Sequence, residues 1–361
     1  MHEEWGVAMS TIDEGNRILE GDINYGRVFV TFTKHTEQKI AHGLIIESLL
    51  RALKDRGVVL KDGQPTTLVD LGCGEGHTAF QMIDAINRVH PQGEGVNYYG
   101  LDADDRFVRS AKRLLLEIKE LQRLRIIEVQ RWNLLGDEPL PLSTMDDVFV
   151  NMAHVLYYAH STKGVSETRK RIAGIIDRIV GLLGRDGLCL LAHSATDCPL
   201  ANLRATVADS VEAKPPCIVA EVADEKRIVL MSMIAPYRVC LPRLTQKQWD
   251  KIKDPASYRE ESSHDPRFMT MLGLLTFVAQ RGLKGLAQEQ KLERFVDGLK
   301  SLLDADGDLH ALSDYQILLS QHQSTEFKES VEAALLQCDR SLDEIVQKAL
   351  RMFTLQSRNK L

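Results

Sequence analysis

Between residues 66 and 195 the chain alternates two hydrophobic rhythms. Short apolar runs read as buried strands: Thr66–Leu71, Val96–Leu101, Arg125–Gln130, Asp147–Met152 and Leu188–Ala192. Between them lie stretches with helical spacing, His77–Val89, Lys112–Leu124 and Glu167–Leu183. In the last of these, Ile172, Ile175, Ile176, Ile179, Leu182 and Leu183 share one face. Gly187 breaks that pattern ahead of the fifth strand. Such alternation predicts an α/β fold on a doubly wound, Rossmann-like parallel sheet.

Beyond residue 195 the rhythm changes. Arg227–Arg238 is a long β-like run, Asp314–Gln323 reads as another strand, and Thr245–Ile252, Phe268–Val278 and Lys291–Asp304 read as helices. These helices form an insertion at about 245–310 within a sheet domain of 61–325. Ser341-Leu342-Asp343-Glu344 reads as a capping box opening a terminal helix, Leu342–Phe353, in a helical tail of 326–361. Ahead of the sheet, Tyr25, Phe29 and Phe32 fall at i, i+4 and i+7, and an amphipathic helix follows at Ile40–Leu53. A stripe of this kind suits plain core; it also suits a helical lid, residues 1–60, closing over a site at the sheet edge.

Composition narrows the class. The chain has 361 residues, 44% of them hydrophobic, and a net charge of −6, as expected of a soluble cytoplasmic protein. No apolar run is long enough to span a bilayer, and the acidic start Met1-His2-Glu3-Glu4-Trp5 lacks the apolar stretch of a signal peptide. Cys73, Cys189, Cys198, Cys217, Cys240 and Cys338 are scattered without a Cys-x-x-Cys pair, so they read as reduced thiols, and no ligand spacing for a metal appears. No basic stripe with interleaved aromatics points to nucleic acid.

The chemistry concentrates at Val69-Asp70-Leu71-Gly72-Cys73-Gly74-Glu75-Gly76. A strand ends in a Gly-x-Gly-x-Gly turn and a helix follows at once. Glycines here let bare backbone N–H groups approach a ligand at the carboxyl end of the strand. The spacing is not that of the dinucleotide fingerprint, because the third glycine comes one residue early. Cys73 fills a place in the turn where a small residue fits. A second strand ends at Asp102, about one βαβ unit later, where a carboxylate suits the two ribose hydroxyls of a nucleoside. Asp104 and Asp105 fit better as the cap and first-turn acid of the next helix.

The turn resembles the first motif of class I S-adenosylmethionine (SAM)-dependent methyltransferases. That resemblance implies SAM as cofactor, held by Gly72, Gly74 and Gly76, with Asp70 at its methionine end and Asp102 at its ribose. Within the class the chain looks like the histamine N-methyltransferase group over roughly residues 22–325. Tyr25-x3-Phe29-x2-Phe32-x2-His35 is similar to that group's leading helix. Trp132, followed by Asn133, matches a tryptophan beside the adenine. Val155-Leu156-Tyr157-Tyr158 matches the segment lining its acceptor site. The superfamily also adds an antiparallel end to the sheet after the fifth strand.

The departures fall on the acceptor side. The family's His-Ser-Thr-Glu string is one residue shorter here, His35-Thr36-Glu37, so Glu37 is a displaced acceptor contact. The stretch Ser194–Leu203 carries none of the two tryptophans that wall the family's pocket, and the family's last-strand asparagine corresponds to Ser320 or Gln321. Histamine is therefore not the expected acceptor. Methyl transfer needs a neutral nucleophile in line with the sulfonium, about 3–3.5 Å away, in a dry site. Asn151, His154, Tyr157 and Tyr158 are the side chains that leave strand four to position it, with His193 and Ser194 at the end of strand five weaker by position alone. Asn151 equally suits a local backbone role and His154 a structural one. The leading expectation is N-methylation of an amine-bearing small molecule. The alternative is a SAM cyclase that forms azetidine-2-carboxylate and methylthioadenosine from SAM alone. A non-catalytic SAM-binding module is a third reading.

Overall fold

The computed structural model describes residue 32 and residues 34–358, apart from 137, 160–163, 206, 208–214 and 280–281. Seven strands form one sheet: β1 Thr66–Leu71, β2 Val96–Asp102, β3 Leu124–Arg131, β4 Val148–Ala153, β5 Leu188–Ser194, β6 Val229–Cys240 and β7 Asp308–Leu319, in the order β3-β2-β1-β4-β5-β7-β6. The first five are parallel, and β7 runs antiparallel to β5 with Ser194 opposite Ser313 and Cys189 opposite Leu318.

The chain divides into two units. The sheet unit comprises 39–196, 212–236 and 312–361. Its helices are α1 Gln38–Lys54, α2 His77–Val89, α3 Asp105–Glu117, α4 Val165–Leu182, α6 Pro215–Glu225, α12 Thr325–Arg340 and α13 Leu342–Arg358 (α5 and α7–α11 follow below). Because strand side chains alternate, the sheet buries two separate apolar layers. Leu68, Phe149, Leu190, Tyr315 and Ile317 pack with α1, α2 and α12. Val69, Val150, Met152, Leu191 and Leu318 pack on the other side with α4 and α6.

The helix read as part of a lid is thus core. Ile45, Ile46, Leu49, Leu50 and Leu53 of α1 are all buried in the first layer. The sheet unit therefore begins at Lys39 rather than near 61, and the helical tail belongs to it through Phe327, Val331, Ala334 and Cys338.

The second unit comprises residues up to 38, 197–211 and 237–311. It contains α5 Pro199–Ala205, α7 Gln246–Ile252, α8 Tyr258–His264, α9 Pro266–Ala279, α10 Leu283–Gln288 and α11 Leu292–Ser301. Helices α7, α9 and α11 match those read from the sequence, whereas α8 and α10 were not read, and the unit also takes in the ends of β6 and β7. Its core is α9, where Phe268, Met271, Leu272, Leu275 and Phe277 are buried.

The last strand, read as Asp314–Gln323, spans Asp308–Leu319, and two further differences from expectation have identifiable reasons. The helix placed at Lys112–Leu124 is α3, which starts where the Asp104 carboxylate accepts the Arg106 N–H and ends before Arg123 turns into β3 with φ 50°. The capping box read at Ser341 is absent: its hydroxyl donates to the Gln337 carbonyl of the preceding turn. A real capping box sits at Thr245, whose side chain accepts the Gln248 N–H while Gln248 reaches back to the Thr245 N–H. Thr245→Ala should therefore lower stability by about 1 kcal/mol. Ser341→Ala should stay within about 0.5 kcal/mol of the parent. Urea unfolding of the two variants side by side checks the contrast.

Candidate functional site

The chain passes from β1 to β2 on one side of the sheet and later returns to β4 on the other, so strand order reverses between β1 and β4. Ligands of open α/β sheets bind at such a switch point, outside the carboxyl ends of the strands. The glycine turn hangs there. Gly72, Gly74 and Gly76 have φ of 74°, 54° and 88°, all left-handed. The Gly72 and Cys73 N–H groups donate to the Leu101 carbonyl at 2.7 and 3.1 Å, closing the turn against β2. A Cβ on Gly72 would stand 2.2 Å from Val155 Cγ1, whereas one on Gly74 would meet no atom within 4 Å. Gly72 is thus needed for packing, and Gly74 faces open space.

Beyond β5 the sheet adds β7 antiparallel, inserted between β5 and β6. The sheet is of the class I methyltransferase type. No protein-family model and no curated protein matches the sequence. Solved structures similar in shape include the YcgJ protein from Bacillus subtilis, 13% identical over 76% of this chain and 98% of that one, with a TM-score of 0.40. The [4+2]-cyclase SpnF is 14% identical over 76% and 81%, with a TM-score of 0.39. A SAM-dependent methyltransferase from Aquifex aeolicus is 16% identical over 52% and 82%, with a TM-score of 0.31. The strand order and direction, rather than these likenesses, carry the fold assignment.

Under the turn lies a buried polar set. Asp70, 1% exposed, accepts the Asn151 amide at 2.7 Å on one oxygen and the Tyr98 hydroxyl at 3.2 Å on the other. Burial pushes its pKa up to about 6, against the pull of those two donors and of the Lys39 charge. Asn151 is fully buried, and its Oδ1 has no hydrogen-bond partner among the described residues. Tyr98 reaches Asp70 by lying over Gly100, where a Cβ would stand 2.8 Å from the ring. Burial likewise raises the Cys73 thiol pKa, keeping the thiol neutral.

Asp102 ends β2 and accepts the Gly74 N–H on one oxygen and the Asp104 N–H on the other, each at 2.9 Å. Its carboxylate braces the turn, and burial raises its pKa. Asp104 is the cap of α3 and Asp105 its first-turn acid. Trp132 is buried in the second apolar layer; its indole N–H donates to the Pro139 carbonyl and the Arg178 guanidinium covers its ring at 5.4 Å. Asn133 is exposed and turns its Oδ1 to the Leu135 N–H.

The remaining candidates separate by face and by edge. Ser194 alternates with Leu190 and Ala192 and so shares the face of Asp70 and Asn151. His193 is on the opposite face, against Gln316 at 3.1 Å. His154 follows β4 with φ 58° and ties its N–H to the Ala192 carbonyl. Tyr157 and Tyr158 lie on a 3-10 turn, Leu156–Ala159; their side chains fall outside what is described. Tyr25 and Phe29 lie outside the described residues.

Phe32 is buried and stacks on Phe277 at 4.2 Å. Glu37 is buried, accepts the Arg238 N–H at 3.1 Å, and has its pKa raised by burial against the Arg238 charge. Both belong to the second unit.

Gln321 and Ser320 require a correction. Because β7 is antiparallel, its amino end, around Ser313, is level with the carboxyl end of β5. Leu319 ends the strand at the opposite edge, about 20 Å along it from Ser313, and Gln321 lies beyond it. The neighbouring Gln323 donates to the Gly184 carbonyl just ahead of β5, which fixes that edge.

Two residues that the sequence reading did not single out complete the set. Lys39, in the first turn of α1, donates to Thr78 Oγ1 at 3.0 Å, and burial lowers its pKa to about 8 despite the Asp70 carboxylate. His42, one turn later, stacks on Tyr315 with centroids 5.6 Å apart; burial and the Lys39 charge push its pKa down to about 3, so the ring is neutral. A lysine and a histidine three apart in the first turns of a helix whose later inward positions are apolar were the available signal.

Proposed function

We propose that this chain is a SAM-dependent enzyme acting on a small molecule, with N-methylation of an amine as its leading reaction. The observation that carries the reading is the left-handed glycine turn at the switch point, standing over the buried Asp70–Asn151 pair. The residues suit the cofactor. Gly74 leaves open space for it, and the buried Asn151 Oδ1 is an acceptor suited to an ammonium group. When bound, SAM supplies a methyl group activated by its sulfonium.

The chain's own residues then bind and orient. Gly74 leaves room for the cofactor while Gly72 and Gly76 hold the turn in shape, Asp102 is the acceptor for ribose hydroxyls, and Asp70 and Asn151 hold the amino-acid end. Ser194, on the same face, is the side chain best suited to a substrate amine on this edge. No helix among the described residues is long and apolar enough to cross a membrane. The proposed partner is a small molecule rather than nucleic acid or a lipid surface.

A second reading, cyclisation of SAM to azetidine-2-carboxylate and methylthioadenosine, is favoured by one feature. Ser194–Leu203 offers no aromatic wall for a separate acceptor. Incubating the protein with SAM alone, followed by mass spectrometry, separates the two. Methyl transfer predicts intact SAM until small primary and secondary amines are added, then S-adenosylhomocysteine. Methylthioadenosine without any acceptor assigns the cyclase instead.

A further inference from the structure

We propose that Lys39 is the carboxylate-binding residue of this site, so that the turn and α1 together read the amino-acid end of the cofactor as a zwitterion. The inference rests on the SAM reading and adds a residue to it. Lys39 Nζ donates to Thr78 Oγ1 in the first turn of α2, at 3.0 Å. That bond holds the ammonium beside the amino end of α2, where Gly76 supplies no side-chain cap. A helix amino end with a cation beside it attracts an anion.

The second, independent observation is on the acid side of the same set. Asn151 is fully buried, its amide nitrogen is committed to Asp70 at 2.7 Å, and its Oδ1 has no partner among the described residues. An acceptor left in that state wants a donor, because an unmade bond at a buried polar atom is costly. An ammonium provides one, with the Asp70 carboxylate alongside.

The polar set thus has a positive pole at Lys39 and Thr78 and a negative pole at Asp70 and Asn151. An α-amino acid carries both matching groups on one carbon. His42 adds no charge to this arrangement, since its ring is neutral. A ligand with the adenosine part but no amino-acid end makes neither contact.

The test is calorimetric titration of the full chain with S-adenosylhomocysteine and, separately, with 5′-methylthioadenosine, which lacks the amino-acid end. Lys39→Met should weaken S-adenosylhomocysteine by about 10- to 100-fold, the range for a charge-assisted hydrogen bond. It should change methylthioadenosine by less than about threefold, and Lys39→Arg should restore most of the loss. Equal weakening of both ligands would overturn the proposal, because the lysine would then only be holding α1 to the turn. No weakening of either would overturn it too. If the parent chain binds neither ligand, the SAM reading fails and takes this assignment with it. Should Lys39→Met not fold, Lys39→Gln carries the same comparison.

Discussion

A Gly72→Ala chain loses ligand binding and about 2–5 kcal/mol of folding stability together. Two costs add. A left-handed φ of 74° in a residue with a Cβ costs about 1–2 kcal/mol. Driving that Cβ to 2.2 Å from Val155 Cγ1 overpacks a site closed by the turn's bonds to Leu101, at about 1–3 kcal/mol. Gly74→Ala separates the two effects. Its φ is also left-handed, but no atom lies within 4 Å of the new methyl. The stability loss should stay near 1–2 kcal/mol, while the methyl fills the space assigned to the cofactor and binding drops. Urea unfolding and S-adenosylhomocysteine titration of both variants decide the matter. Equal stability losses, or normal binding by Gly74→Ala, would remove the distinction drawn between a packing glycine and a ligand-facing one.

Asp70→Asn should make the ligand-free protein more stable at pH 7–8 while weakening its hold on the cofactor. The Asp70 pKa is raised from 3.8 to about 6 because burial disfavours the carboxylate. For a raised pKa the sign is definite. Below pH 3.8 the group is protonated folded and unfolded, and its contribution is complete. As pH climbs toward 6 the unfolded chain ionises first, and the native state loses ground. Above 6 the loss is constant, at up to about 3 kcal/mol for a shift of two units.

The neutral amide avoids that cost. Asn151 can accommodate it by turning its amide, since its Oδ1 is otherwise unpartnered. The stability gain should therefore open between pH 4 and 6 and vanish below pH 4. Thermal melts across that range read it directly. A variant that loses stability at pH 8 would show that the Asn151 and Tyr98 bonds outweigh desolvation. Unchanged binding of S-adenosylhomocysteine would remove Asp70 from the site.

Much of this was legible before any coordinates. Thr66–Leu71 and His77–Val89 appear with the bounds that their apolar rhythm predicts. The turn between them could be read because glycines in that spacing have a specific backbone purpose. What failed had physical causes. Gln321 was placed at the site by matching the family's last-strand asparagine to the end of a run read as Asp314–Gln323. The strand spans Asp308–Leu319 antiparallel to β5, so that end lies away from the site. Lys39 was passed over because a lysine on a helix ordinarily faces water, and only the packing of α1 against the sheet turns it inward. Tyr98 was read as one more apolar strand residue. Its reach to Asp70 depends on Gly100 two places on, a short-range relation that strand periodicity does not weigh.

The place of α1 bears on how the chain is made. Ile45 of α1 takes the Cys338 thiol on its carbonyl, Arg56 just past the helix pairs with Gln337, and His42 rests on Tyr315. Each contact joins an early segment to one synthesised hundreds of residues later. On the ribosome α1 can pack first against β1 and α2, while the part of its apolar face that meets β7 and α12 waits for them. Nascent chains stalled before residue 312 should expose that face to chaperones, and those released after residue 340 should not. Such long-range closure slows folding, and here it ties completion of the sheet unit's first apolar layer to the synthesis of α12.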